Sequence, residues 1–112
     1  FNPGPLFGPY AVAKSALVAL MKQYGIDLAP FGVRSNAVNA DRVRTGLFSP
    51  DLIESRARAR GITSDAYFTA NLLNRETLAE DVAHAFAYLA SAKATTGAVV
   101  PVDGGNPAAF PR

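Results

Sequence analysis

Tyr10-Ala11-Val12-Ala13-Lys14 heads a run, Ala11 to Met21, in which Lys14 and Ser15 are the only polar residues. On a helix, residues four apart stand one above the other on the same face. Tyr10 is then the nearest titratable neighbour of the Lys14 ammonium. The spacing is weak evidence by itself. Four Tyr and three Lys in 112 residues give a Tyr-x-x-x-Lys by chance in about one such chain in ten. The pattern predicts a helix from about Pro9, where a first-turn proline costs nothing, to about Leu28, ending before Pro30-Phe31-Gly32. A helix apolar on nearly every side must be covered on more than one face. A sheet can cover one side, and a second helix or a second subunit the rest, so the Tyr10–Leu28 segment reads as a subunit-interface helix.

Working outward, residues 1 to 9 hold three Pro and two Gly, a loop composition. Downstream, Val33 to Ala40 alternates Val33, Ser35, Ala37 and Asn39 against Arg34, Asn36 and Val38, which predicts a short if polar strand. Ser49-Pro50-Asp51 is a helix start, with Ser as cap, Pro in the first turn and Asp at the positive end of the dipole. That helix is expected to end at Gly61. Ser64-Asp65 opens a second short helix to about Leu73. Thr77-Leu-Ala-Glu80 matches a capping box. The helix beyond it sets Val82, Ala85, Phe86 and Leu89 on one stripe, with Glu80, His84, Tyr88 and Ser91 opposite. Ala98 to Val102 reads as a buried strand interrupted by Pro101, closed by the turn Asp103-Gly104-Gly105. Strands separated by helices imply parallel pairing in an α/β sheet. Two strands make a poor sheet, so the segment calls for further strands or a partner.

Composition narrows the function classes. The 49% hydrophobic content and 10% aromatics suit a core-forming chain. Net charge is +2, and the one dense basic run, Arg56, Arg58 and Arg60, alternates, so it spreads around a helix and forms no phosphate-reading stripe. Nucleic acid is not an expected partner. With no Cys and one His, disulfides and thiolate metal sites are excluded and no metal cluster is expected. The uncharged run Ser15–Met21 is too short to span a bilayer, and no signal peptide is visible; a cytoplasmic protein with no membrane partner is expected. The sequence begins Phe1-Asn-Pro-Gly-Pro5, without Met, and reads as part of a longer chain.

Tyr10-x-x-x-Lys14, Asp27-Leu-Ala-Pro-Phe-Gly-Val-Arg-Ser-Asn-Ala-Val38, Val43-x-Thr45, Glu80-Asp-Val-Ala83 and Val102-Asp-Gly-Gly105 together resemble the C-terminal half of a short-chain dehydrogenase/reductase, in that family's order and spacing. The stretch Ser64-Asp-Ala-Tyr-Phe-Thr-Ala-Asn-Leu-Leu73 and the ending Gly104-Gly-Asn-Pro-Ala-Ala-Phe-Pro-Arg112 resemble more narrowly the dehydrogenase part of bifunctional rhamnulose-1-phosphate aldolase/lactaldehyde or alcohol dehydrogenase proteins. The resemblance implies the C-terminal part of a Rossmann-like, doubly wound parallel sheet, ordered helix, strand, short helices, helix, strand. It further implies NAD or NADP as cofactor and a small hydroxy-aldehyde or sugar-derived alcohol or carbonyl as substrate. By resemblance, Tyr10 is the general acid/base and Lys14 its electrostatic partner, which also bonds the nicotinamide ribose. The Val43 backbone and Thr45 hold the carboxamide. A free phenol titrates near ~10, so acid/base work near neutrality requires about 4 kcal/mol in favour of the ionised form. An exposed ion pair supplies about 0–1 kcal/mol, so the chemistry demands a closed, low-dielectric site.

Two departures stand out. The family usually has Pro-Gly before Val-x-Thr, where this chain has Ala40-Asp41. No Gly-x-Gly-x-x-Gly occurs, and the family's Gly-rich turn, ribose selector and catalytic Ser all lie upstream of its tyrosine. The 112 residues alone are therefore expected to be inactive. Plainer readings accompany each motif: Tyr10 and Lys14 as a structural interface pair, Thr45 as an ordinary loop or helix-capping hydroxyl, His84 as a solvated surface residue, Asp103-Gly-Gly as a turn. The Arg56–Arg60 run is either a solvated helix face or a lid contacting an anionic substrate. At the level of the whole chain, the rival to a dehydrogenase part is a non-catalytic α/β dimerisation module.

Overall fold

The computed structural model describes residues 8 to 106, which leaves the expected loop before Gly8 and the closing stretch after Asn106 outside the described residues. Helix α1 spans Gly8–Asp27, strand β1 Ala37–Ala40, helix α2 Pro50–Arg58, helix α3 Ala79–Ser91 and strand β2 Val99–Val102. The strands pair in parallel, with Ala37 opposite Val99 and Ala40 opposite Val102. Helix α3 packs against both. The parallel pairing is as expected, the order is the expected one with a single short helix, α2, in place of two, and the arrangement is a Rossmann-like α/β fold.

Helix α1 ends where Pro30 and Gly32 require it to. A single 3-10 turn, Ala29–Phe31, follows, and Gly32 takes φ +71°. The Gly32 N–H reaches Ala29 O at 2.9 Å and the Val33 N–H reaches Leu28 O at 3.3 Å. This is the paired closure that a left-handed residue past a helix end permits. The same device stops α2. Gly61 has φ +66°, its N–H bonds Arg58 O at 3.1 Å and the Ile62 N–H bonds Ala57 O at 3.1 Å. Ser49 Oγ accepts the Leu52 N–H at 3.3 Å, satisfying an orphan donor at the helix start.

Three expectations need correction. Strand β1 begins at Ala37, not Val33, because Arg34 and Asn36 bond to the segment 89–98 through their side chains and Ser35 through its backbone N–H and C=O. The Arg34 guanidinium donates to the carbonyls of Leu89, Ala90, Ala92 and Thr95 at 2.7 to 3.3 Å, closing the C-terminus of α3. Asn36 donates to Thr95 O at 2.9 Å and accepts the Ala98 N–H at 3.0 Å. The segment from Ser64 is a series of turns and forms no helix to Leu73. Its Leu72 and Leu73 N–H groups bond Gly105 O and Gly104 O at 2.9 and 3.0 Å, and donors spent on another strand end cannot serve a helix. The capping of α3 is displaced by one residue. Leu78 is the N-cap, Asp81 Oδ2 accepts its N–H at 2.8 Å, and Thr77 is buried.

Two packed regions result. Ala57, Tyr67 and Phe68 form a small core, with Phe48, Ile53 and Ile62 against it. The rings of Tyr67 and Phe68 meet edge-on at 5.1 Å, and Phe48 meets Phe68 at 5.4 Å, the arrangement ring quadrupoles favour. Elsewhere α3 covers the sheet with Val82, Ala85 and Leu89, but Phe86 is exposed. It lies one residue, or 100°, beyond Ala85, and a two-stranded sheet is too narrow to cover that arc. His84 is exposed, as its polar face implied.

Candidate active site

Helix α1 buries Ala11, Met21 and Gly25 and half-buries Lys14 and Val18, and Leu28 just past its end is half-buried too. These are spaced alternately three and four residues apart, which is one stripe of a helix. Lys14 lies in that stripe, and Tyr10, one turn earlier, is 51% exposed. The Lys14 ammonium stands 5.6 Å from the centre of the Tyr10 ring, within the range at which a cation is attracted to a ring face. Among the described residues no carboxylate pairs with Lys14. The spacing therefore delivers what it promised, a lysine held against a tyrosine. The enclosure that would raise the effect of that charge is not formed by the described residues, since Tyr10 faces outward.

Val43 and Thr45 lie on another element, the loop that leaves β1. Thr45 is exposed; its carbonyl accepts the Phe48 N–H at 3.0 Å, and its hydroxyl accepts the Leu47 N–H at 3.4 Å. Thr45 thus closes a local turn of the loop, Ser49 being the residue that caps α2, and its hydroxyl proton is still available to a ligand. Val43 is half-buried, and among the described residues nothing takes up its backbone N–H or C=O. A donor and an acceptor on one backbone unit, with a hydroxyl two residues on, match what a carboxamide needs. The chemistry of these groups fits a nicotinamide.

The neighbours of Val43 carry the features that sequence reasoning missed. Arg42 has φ +49°, unusual for a residue with a Cβ. Its guanidinium donates to Asp41 Oδ2 at 2.9 Å, Tyr67 O at 3.0 Å and Ala70 O at 3.0 Å. Arg44 lies 4.0 Å over the Phe68 ring and donates to both oxygens of Glu76, at 2.8 and 3.4 Å. The hydrogen bond to Glu76 raises the Arg44 pKa above its ordinary value, partly opposed by desolvation and aided by the Glu76 charge. A raised pKa adds stability below the ordinary value and loses it only above, so the Arg44 end of this pair does not titrate near neutrality. The one available signal was Ala40-Asp41 itself, a departure from the family's Pro-Gly at the start of this loop.

The basic run is solvated at Arg58 and Arg60, as the helix-face reading expects, while Arg56 is half-buried. Arg58 pairs with Glu54 in solvent at 2.6 Å, whereas Arg56 and Arg60 lie 5.6 Å from the ring centres of Phe48 and Tyr67. The two flanking arginines cover the aromatic core with their apolar stems and cationic ends. Asp103-Gly104-Gly105 is a turn, as the plainer reading had it. Asp103 Oδ1 accepts the Gly105 N–H at 2.9 Å. It has a further use, because the Gly104 and Gly105 carbonyls hold the 72–73 segment. No cluster of metal-ligating side chains occurs among the described residues, and none of their helices is long and apolar enough to cross a membrane.

Comparison with known proteins agrees with this geometry. Residues 3–106 match the family model described as enoyl-(acyl carrier protein) reductase. The chain is 37% identical over 99 residues to protein FixR of Bradyrhizobium diazoefficiens, covering 87% of this chain and 32% of that protein. It is 37% identical over 111 residues to the uncharacterized oxidoreductase YuxG of Bacillus subtilis, covering 92% of this chain and 16% of that one. Against dehydrogenase/reductase SDR family member 4 of Mus musculus it is 35% identical over 109 residues, 96% of this chain and 37% of the relative. The chain thus spans about a third or less of the curated relatives it matches. A short-chain dehydrogenase family protein of Francisella tularensis superposes with a TM-score of 0.78 at 31% identity, over 96% of this chain and 47% of that one. Carveol dehydrogenase of Mycobacterium avium, solved in complex with NAD, shares the fold with a TM-score of 0.79 at 24% identity, over 93% of this chain and 41% of that one. With the Tyr10–Lys14 pair on α1, the parallel β1–β2 ladder and these matches together, the chain belongs to the short-chain dehydrogenase/reductase family of oxidoreductases.

Proposed function

We propose that residues 1–112 form the C-terminal part of an NAD(P)-dependent dehydrogenase that moves hydride between nicotinamide and a small hydroxy-aldehyde or sugar-derived alcohol or carbonyl. The observation that carries this reading is the half-buried Lys14, held against the Tyr10 ring with no carboxylate partner among the described residues. That places an ammonium one helical turn from the tyrosine that the family resemblance assigns to proton transfer. In alcohol oxidation the Tyr10 phenolate takes the hydroxyl proton as the carbinol C–H leaves as hydride; in carbonyl reduction the Tyr10 phenol returns it. When bound, the nicotinamide supplies the atom that accepts or gives that hydride. The Val43 N–H and C=O and the Thr45 hydroxyl would hold its carboxamide, and Lys14 would donate to its ribose hydroxyls. NAD and NADP both fit these groups.

The narrower reading is of a dehydrogenase joined to a rhamnulose-1-phosphate aldolase. It is supported by the 16% share of the Bacillus subtilis oxidoreductase that matches, against 37% of the mouse relative, so the bacterial relative carries much more chain beside the matched part. The intact protein is cytoplasmic and homo-oligomeric through α1. Intact mass and upstream sequence of the source polypeptide test the arrangement. A longer chain with a Gly-rich strand–turn–helix supports it, and a native product beginning at Phe1 overturns it. In that longer chain Tyr10→Phe is expected to lower NAD(P)-dependent turnover by at least a hundredfold; unchanged turnover removes Tyr10 from the mechanism.

A second reading, a dimerising α/β module with a relic Tyr–Lys pair, is favoured by the exposure of Val12, Leu17, Leu20, Tyr24 and Ile26 along α1. It predicts self-association without any nicotinamide-dependent turnover.

A further inference from the structure

We propose that Arg42 is a positioning residue that makes the loop leaving β1 and the 67–73 turn segment move as one unit. The inference rests on the dehydrogenase reading only for the role given to Val43 and Thr45. A non-glycine residue at φ +49° carries a backbone cost and persists only when its surroundings over-determine it. Here they do. The Arg42 side chain is 12% exposed, and its Nε, Nη1 and Nη2 each have an acceptor, on Asp41, Tyr67 and Ala70 respectively. The planar fork of a guanidinium suits such divided bonding in a way that a lysine ammonium does not.

The connections close a ring. From Arg42 the path runs through Tyr67 O and Ala70 O to Leu72 and Leu73, whose N–H groups bond Gly105 O and Gly104 O. Those glycines follow β2 directly. The β2 end returns to the start, since the Asp41 N–H bonds Val102 O at 3.3 Å and Asp41 Oδ2 accepts from Asn106 at 3.4 Å. Arg44, on the other side of Val43, grips Glu76 and the Phe68 ring. Val43 is held between two arginines that both grasp the same excursion of chain, while its own backbone groups remain available. Displacement of the 67–73 segment therefore pulls on Val43 and Thr45.

Residue-resolved amide exchange on the intact protein, without added cofactor, tests this. In Arg42→Met, exchange of the Asp41 and Phe48 amides and of the Ala70, Leu72 and Leu73 amides is expected to quicken together, by tenfold or more. The amides of α3 are expected to stay within twofold. Arg42→Lys, which keeps the charge but not the fork, is expected to fall between, and it carries the test should Arg42→Met fail to fold. Loosening of one segment without the other overturns the coupling, and so does equal loosening of α3, which marks a merely structural role. If the intact wild-type protein shows no nicotinamide-dependent turnover, the dehydrogenase reading falls, and the exchange result still decides the role of Arg42.

Discussion

Gly104 shows how closely one residue can set a tertiary contact. It has φ +67°, and a Cβ built there would collide with the Asn71 carboxamide, which is itself bonded to Arg75 O at 2.7 Å and accepts the Arg75 N–H at 3.4 Å. Gly104→Ala combines a left-handed backbone penalty with overpacking, and it is expected to destabilise the chain by about 1–3 kcal/mol, read as a lower urea midpoint at unchanged slope. Asn71→Ala in the same chain should recover the packing part and leave the backbone part. Because Asn71→Ala also loses the two Arg75 bonds, equal losses from Gly104→Ala in the wild-type and Asn71→Ala backgrounds would show that the collision contributes nothing. At this scale the sequence was partly legible: Asp103-Gly104-Gly105 announces a turn after a strand, but nothing in it names Asn71 as the neighbour.

At the scale of elements, two ways of finishing a helix coexist, and they differ in energy. Ser49 caps α2 through one neutral bond to the Leu52 N–H, whereas Arg34 closes α3 through charge-assisted bonds to four carbonyls brought from 55 or more residues away in the chain. Ser49→Ala is expected to cost about 1 kcal/mol. Arg34→Met is expected to cost about 2–3 kcal/mol, because it also strands carbonyls at the negative end of the helix. Chemical denaturation of both variants checks the ranking, and equal losses would refute it. The local cap could be read from Ser-Pro-Asp. The distant one could not, although three polar residues in a row, Arg34-Ser35-Asn36, already sat poorly with a strand. Their polarity belonged to the ends of other elements.

Over the whole molecule, the exposed apolar residues of α1 outnumber those it buries, and burying them against a second copy would gain on the order of 25 cal/mol per Å². Sedimentation at micromolar concentration is expected to show a dimer or larger species, and Leu17→Glu with Leu20→Glu is expected to return it to monomer without loss of helix content. A wild-type monomer would count against both the interface helix and the assembly module. The sequence by itself determined the helices that carry end signals, the parallel α/β class and the meeting of Tyr10 with Lys14, because caps, glycine closures and i,i+4 spacing act within one or two turns of chain. Only the tertiary structure decided that residues 64 to 73 abandon a helix, that Arg56 and Arg60 cover aromatic rings, and that Arg42 adopts a left-handed backbone. The first and last depend on acceptors supplied by residues distant along the chain, and the second on Phe48 and Tyr67, which lie outside the helix α2 that carries Arg56. A backbone donor or a guanidinium goes to whichever partner folding brings within 3 Å.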